Sequence, residues 1–374
     1  MQRNLCAPAY VPRLIELSVT DLVEEITVHN YKKQELRTMS SILLCVGMFA
    51  ASLVASAAGA GADRPAPPGK LVDLGGHKLH VNCTGKGSPI VVVENGFGDF
   101  SFDWVLVQKR VSQFTRICTY DRAGYAWSDR GPQPRTFPQI NLELHDALAK
   151  LGEHGPFVLV GHSYGGPVVR NYALTYPQQV AGMVQVDAAF EGQRVGIGGK
   201  NTMKLGADAK GRSIPPPHEG MKSSDKPTAP AEASPAAGSP QPLDAMYNVL
   251  PTVEQKLQLW AQDLPEINEV ENSQREWSGE YFAKWMATSQ AGSLGKIPLI
   301  VLTRAEGGYD NDLDVSAAQM ESERKEGQAQ LAQLSTNGKQ IILHCGHNME
   351  LEAPDDVAAA IREVVKAART GGKV

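Results

Sequence analysis

Apolar residues fall into short, separate runs along much of this chain, and those runs predict a series of strands. KLVDLGGHKLHVNC, residues 70–83, places two β-like runs on either side of Gly75-Gly76, which predicts a hairpin. Residues 90–93 (IVVV), the run TRICTYD at 115–121, residues 157–160 (FVLV) and residues 180–188 are short, apolar and rich in β-branched side chains. That is the pattern of strands buried on both faces. Between the last two, the spacing of Val168, Val169, Tyr172 and Ala173 predicts a helix over 164–176, and Pro177 lies just past its end. IPLIVLTR at 297–304 and KQIILHCGH at 339–347 return to strand character, and residues 354–369 form a closing helical segment. Strands alternating with helices predict an α/β fold, a mostly parallel sheet with helices on both faces.

The alternation stops between residues 190 and 296, where no β pattern is visible. Residues 213–242 are crowded with Pro, Ala and Ser, a composition that buries too little surface to offset its ordering entropy, so disorder is expected there. Helical spacing then resumes, with Leu250, Leu257, Leu259, Trp260, Trp277, Phe282 and Trp285 as its apolar markers. The expected organisation is an α/β core over 63–189 and 297–374, interrupted by a helical cap at 190–296 that suits a lid over a site.

The first 62 residues read as a targeting segment. An apolar run at 40–57 follows Lys32, Lys33 and Arg37, and small-x-small sites occur at Ala55-Ser56-Ala57 and Ala58-Gly59-Ala60. This is the layout of a cleaved secretory signal, with a membrane anchor as the alternative and Met1 or Met39 as the start. Export would give an exported, periplasmic or secreted protein. Of five cysteines, Cys83, Cys118 and Cys345 lie beyond that segment without metal-ligand spacing. Cys83 and Cys118 sit on early strands and could pair in an oxidising compartment, leaving Cys345 free; three buried thiols is the alternative. A net charge of −5 gives no reason to expect a nucleic-acid partner.

Candidate chemistry centres on GHSYG, Gly161 to Gly165. A lone serine between a buried strand and a helix, among glycines, marks a turn too tight for side chains at the flanking positions. With NGFGD at 95–99, YDRAGYAWSD at 120–129 and CGHNMELEAP at 345–354, the chain resembles the α/β-hydrolase fold family over residues 70 to about 368, the cap excepted. The resemblance implies a nucleophile elbow at Ser163, an oxyanion loop at Asn95-Gly96 and a histidine loop at the end. Asn95 stands where that family often has histidine.

A serine hydroxyl needs a base to take its proton. His347, in the loop beyond Gly346, can reach across the sheet top, whereas His344 lies within a strand run. The third member is either Asp187, at the end of a rigid apolar strand, or an acid of the loop after 297–304, which offers Glu306, Asp310, Asp312 and Asp314, with Asp310 the nearest rival. The position of Asp187 favours it. The backbone N–H groups of Phe97 and Tyr164 are the oxyanion donors that the resemblance implies. His162 is expected to brace the elbow, and Asp121 and Arg122 to tie down the loop after their strand. The implied activity is an exported serine hydrolase acting on a small-molecule carboxylic ester, with no cofactor, no metal and no integral membrane partner, and with oligomeric state open. A lactonase or C–C bond hydrolase is the alternative within the fold, and a non-catalytic binding protein on the same scaffold the alternative outside enzymes.

Overall fold

The apolar runs assemble into one eight-stranded sheet of order β1-β2-β4-β3-β5-β6-β9-β10. Its strands are β1 (Lys70–Asp73), β2 (Lys78–Thr84), β3 (Ile90–Glu94), β4 (Ile117–Tyr120), β5 (Phe157–His162), β6 (Val180–Val186), β9 (Leu299–Arg304) and β10 (Gly338–Leu343). The computed structural model of the protein describes residues 64–196, 200–205, 242–264, 266, 267, 269–271, 273, 274, 290–305, 307–309 and 313–374. The chain divides into two units, Met1–Pro65 and Ala66–Val374, and the first lies almost wholly outside the described residues. The apolar run at 40–57 therefore lies outside them too. Among the described residues no helix is long and apolar enough to cross a membrane.

β1 pairs with β2 and β2 with β4 antiparallel, while every other pairing in this sheet is parallel. Parallel strands need crossovers, and helices supply them on both faces. Val91, Val93, Val158, Val160, Val184 and Ile300 meet α1 (Val105–Val111) and α7 (Pro354–Thr370) on one face. Val92, Leu159, Met183 and Val301 meet α2 (Phe137–Lys150), α3 (Gly165–Thr175) and α5 (Ala317–Ala332) on the other. Successive residues of one strand point to opposite faces, so a sheet covered twice needs apolar residues at every position. Each such valine contributes roughly 1.5–3 kcal/mol by leaving water.

Several elements were not visible in the sequence pattern. α5 buries Arg324, Gly327 and Gln328 beside Met320 and Leu331, so its inner face carries no apolar stripe. The two short strands β7 (Arg194–Gly196) and β8 (Thr202–Lys204) pair antiparallel, which corrects the expectation of no β structure between 190 and 296. Three residues are too few for a period-2 pattern to stand out. Elsewhere in the insertion, α4 (Thr252–Ala261) is helical, and Ala261, Ile267 and Val270 pack with Phe100, Phe102, Tyr125 and Trp127. Residues 206–241, which include almost all of the Pro/Ala/Ser-rich stretch, and Trp277, Phe282 and Trp285 lie outside the described residues.

Cys83 and Cys118 face each other in the β2–β4 register and are joined by a disulfide, and Cys345 is free.

Candidate active site

β5 ends at His162, and Ser163 follows in left-handed backbone, φ 47°. A non-glycine residue there costs about 1–3 kcal/mol and persists only where its surroundings hold it. They do: Ser163 N–H donates to the Val186 carbonyl at 3.1 Å, and the Ser163 carbonyl accepts from Gly166 at 3.0 Å and Ala189 at 2.8 Å. Two flanking glycines make room. A Cβ on Gly161 would stand 2.6 Å from the Gly165 carbonyl oxygen, and one on Gly165 would strike the carbonyl oxygens of Glu94 and Asn95.

Asp187 immediately follows β6 and also has positive φ, 36°. Its N–H donates to the Leu302 carbonyl at 2.9 Å, which pins it beside the end of β9. The sheet order thus sets β5 and β6 side by side, with the serine and the aspartate at the same carboxyl edge. His347 arrives from the loop beyond β10. Its Nδ1–H donates to Asp187 Oδ2 at 2.6 Å, and the Ser163 hydroxyl donates to its Nε2 at 3.0 Å. An ionised carboxylate can only accept, so the proton of a neutral His347 sits on Nδ1 and the lone pair on Nε2 faces the serine.

Asp187 is buried, with 3% of its side chain exposed, whereas the His347 side chain is 39% exposed. Burial alone would raise the Asp187 pKa. The hydrogen bond and charge of His347, with Arg304 and Arg324, outweigh it and hold the carboxyl below its ordinary value. The two arginines stand 3.5 and 3.6 Å from its oxygens. Neither was singled out from sequence; Arg304 closes the strand paired with β6, but only the packing of α5 brings Arg324 there. Of the alternative acids, Glu306 and Asp310 lie outside the described residues. His344 is exposed at the end of β10.

The loop after β3 lies beside the elbow. The rings of Phe97 and Tyr164 meet edge to face with centroids 5.9 Å apart. Arg122 secures this loop by donating to the carbonyls of Asn95 at 2.7 Å and Gly96 at 2.6 Å and to Glu94 at 2.8 Å. Asp121 accepts from the Ser101 N–H at 2.8 Å and stands 2.7 Å from His80 Nδ1. Both residues of that pair therefore hold loops.

Under the elbow is a buried polar cluster that the sequence did not announce beyond His162 itself. His162 Nδ1 is 2.8 Å from Asp99 Oδ2, and its Nε2 is 3.1 Å from the carbonyl oxygen of His347. Glu350 Oε2 lies 3.8 Å from Nε2 on the other side. Asp99 also accepts the Gly96 N–H at 2.9 Å. Burial opposes the charge of His162, yet Glu350 and Asp99 push its pKa up to about 10. Burial pushes Glu350 up to about 7, against the pull of His162.

A helix-covered, mostly parallel sheet with a strained serine turn at the carboxyl end of a central strand defines a class of α/β enzyme. The chain belongs to the alpha/beta hydrolase family, whose model matches residues 90–360. An "AB hydrolase superfamily protein" of Gibberella zeae is 31% identical over 107 residues, 28% of this chain and 33% of that protein. The matched stretches span between 15% and 42% of the curated relatives' own lengths. Among solved structures, an esterase from Thermogutta terrifontis is similar over 80% of this chain and 97% of that one, at 20% identity and TM-score 0.51. An enol-lactonase from Burkholderia xenovorans is similar over 79% of this chain and 100% of that one, at 16% identity and TM-score 0.54. At such identities the likeness concerns the fold.

Proposed function

We propose that the protein hydrolyses small carboxylic esters through an acyl-enzyme on Ser163. The observation that supports this reading is the unbroken line from Ser163 Oγ through His347 to Asp187, 3.0 and 2.6 Å per link. Ser163 Oγ attacks the acyl carbon while His347 Nε2 takes its proton. The tetrahedral oxyanion is met by the N–H groups of Phe97 and Tyr164. As it collapses, His347 returns the proton to the leaving alcohol. Water then attacks the acyl-serine with His347 as base again, releasing the acid and restoring the serine. Asp187 fixes the His347 tautomer and stabilises the imidazolium without taking the proton.

A serine at the elbow supports acyl transfer over alkyl transfer, because an acyl-serine is hydrolysed by attack on an electrophilic carbonyl whereas an alkyl ether is not. The test is a panel of p-nitrophenyl esters of graded chain length with a fluorophosphonate probe. The wild-type protein should turn over one of them and label at Ser163. Ser163→Ala should lose labelling and on the order of 10⁴-fold or more in kcat. A folded Ser163→Ala protein with wild-type turnover would remove the mechanism.

Export through the run at 40–57 belongs to the same reading, and the Cys83–Cys118 disulfide supports an oxidising compartment. Expression of the full chain with its segment should yield a processed N-terminus outside the cytoplasm. Only unprocessed cytoplasmic protein would count against it.

A further inference from the structure

His162 precedes the nucleophile, is 1% exposed and takes no step in the mechanism above. Its two ring nitrogens nevertheless both end on acceptors. Nδ1 faces a carboxylate oxygen of Asp99 and Nε2 faces the backbone carbonyl of His347. A neutral imidazole has one N–H and one lone pair, and would leave one of these contacts as lone pair against lone pair. Only the imidazolium donates to both.

We propose that His162 is a positioning residue, held as a buried imidazolium, that ties the oxyanion loop to the loop carrying the catalytic base. The inference rests on the Ser163–His347–Asp187 reading. One arm of the tie runs through Asp99, which accepts from His162 and from the Gly96 N–H and so fixes the turn before Phe97. The other arm holds the His347 carbonyl, and with it the direction in which the His347 ring leaves the backbone. The ring centroids of His162 and His347 are 4.8 Å apart. A bare cation at that distance would oppose the imidazolium that forms on His347 during attack. Asp99, from the loop after β3, supplies the opposing negative charge, and Glu350, from the short helix α6 (Met349–Glu352), adds to it as it ionises at about 7. The ring of Trp104 stands edge-on at 6.4 Å. Arg122 and His347 act on the Asp99 carboxylate, Asp99 and Glu352 act on Glu350, and buried Asp103 and half-buried Tyr247 border the same two acids.

The decisive measurement is ¹⁵N NMR of histidine-labelled wild-type protein between pH 6 and 9, roughly the interval around an ordinary histidine pKa. Both His162 nitrogens should carry protons throughout. A single protonated nitrogen at pH 7–8 would overturn the proposal. His162→Gln supplies the second arm, because a residue that places two loops should cost roughly 10²-fold in kcat, with KM little changed. Loss of the cation also makes a proton on His347 less costly, so the acidic limb of the pH profile of kcat/KM should move to higher pH. A residue that merely filled space would leave that limb where it is, and a folded His162→Gln protein with parental kcat and limb would sink the idea. If His162→Gln does not fold, the NMR result decides alone. Wild-type activity in Ser163→Ala would remove the triad reading but would leave the protonation of His162 as measured, so the two failures are distinguishable.

Discussion

At the scale of single residues, the two side chains on the carboxyl edge that carry the proposed chemistry share a backbone feature. Ser163 and Asp187 both have positive φ, and both end strands whose neighbours accept their N–H groups. Strain of this kind aims a side chain away from the sheet and holds it there, and catalysis rewards such fixed placement. Asp187→Asn should therefore leave a folded protein whose kcat falls on the order of 10³–10⁴-fold, because His347 loses both its tautomer and its counter-charge. Asp310→Asn should stay close to the parent. Steady-state kinetics of the two variants on one ester check this, and the reverse ranking would move the acid to the later loop. The serine and the histidine were legible in the sequence because glycines and a strand–helix change surround the one, and a terminal loop carries the other. The proposed acid was legible only as a choice among several, since neither periodicity nor spacing says which carboxylate faces a ring 160 residues away.

At the scale of elements, buried strands announced themselves and mixed-face helices did not. The elbow joins three of them: β5, α3 and the end of β3. Gly165→Ala would press a methyl against the Glu94 and Asn95 carbonyl oxygens, which belong to backbone and cannot swing aside. The variant should lose about 1–3 kcal/mol of stability and displace the oxyanion loop, seen as a lower denaturation midpoint and a lower kcat. The disulfide acts on a different pair, β2 and β4, at the antiparallel end of the sheet, well removed in strand order from β9 and β10. It closes a loop between positions 35 residues apart, so its reduction should lower stability by about 3–4 kcal/mol. Ester turnover below the melting range should be nearly unchanged. Parallel denaturation and activity curves with and without reductant test both statements.

At the scale of the whole molecule, buried charge makes stability depend on pH in a defined direction. The His162 pKa is raised from 6.5 to about 10 by the carboxylates around it, so its stabilising contribution is complete below 6.5 and is lost as pH rises toward 10. Glu350, raised from 4.5 to about 7, contributes below 4.5 and loses that contribution as pH rises through 7. Asp187 is depressed below 3.8, so its contribution is present above 3.8 and fades as pH falls through its lower folded value. The denaturation midpoint should thus be highest in mildly acidic solution and decline toward pH 10. His162→Gln should flatten the alkaline decline, and an equally steep decline in that variant would show that other groups cause it.

Local pattern was enough for the α/β layering, the strand–elbow–helix unit and the candidate serine and histidine. These depend on local pattern: apolar runs covered on both faces, glycines where a side chain has no room, and a turn that only a few residue types can make. Tertiary structure alone decided that Asp187 meets His347, that Arg304 and Arg324 converge on that acid, and that Cys83 and Cys118 share a register. It also decided that His162 lies between Asp99 and a carbonyl 185 residues away. The physical reason is common to all of them. Hydrogen bonds and ion pairs act over a few ångströms between elements distant in sequence, and only the order and register of the strands brings those elements within reach.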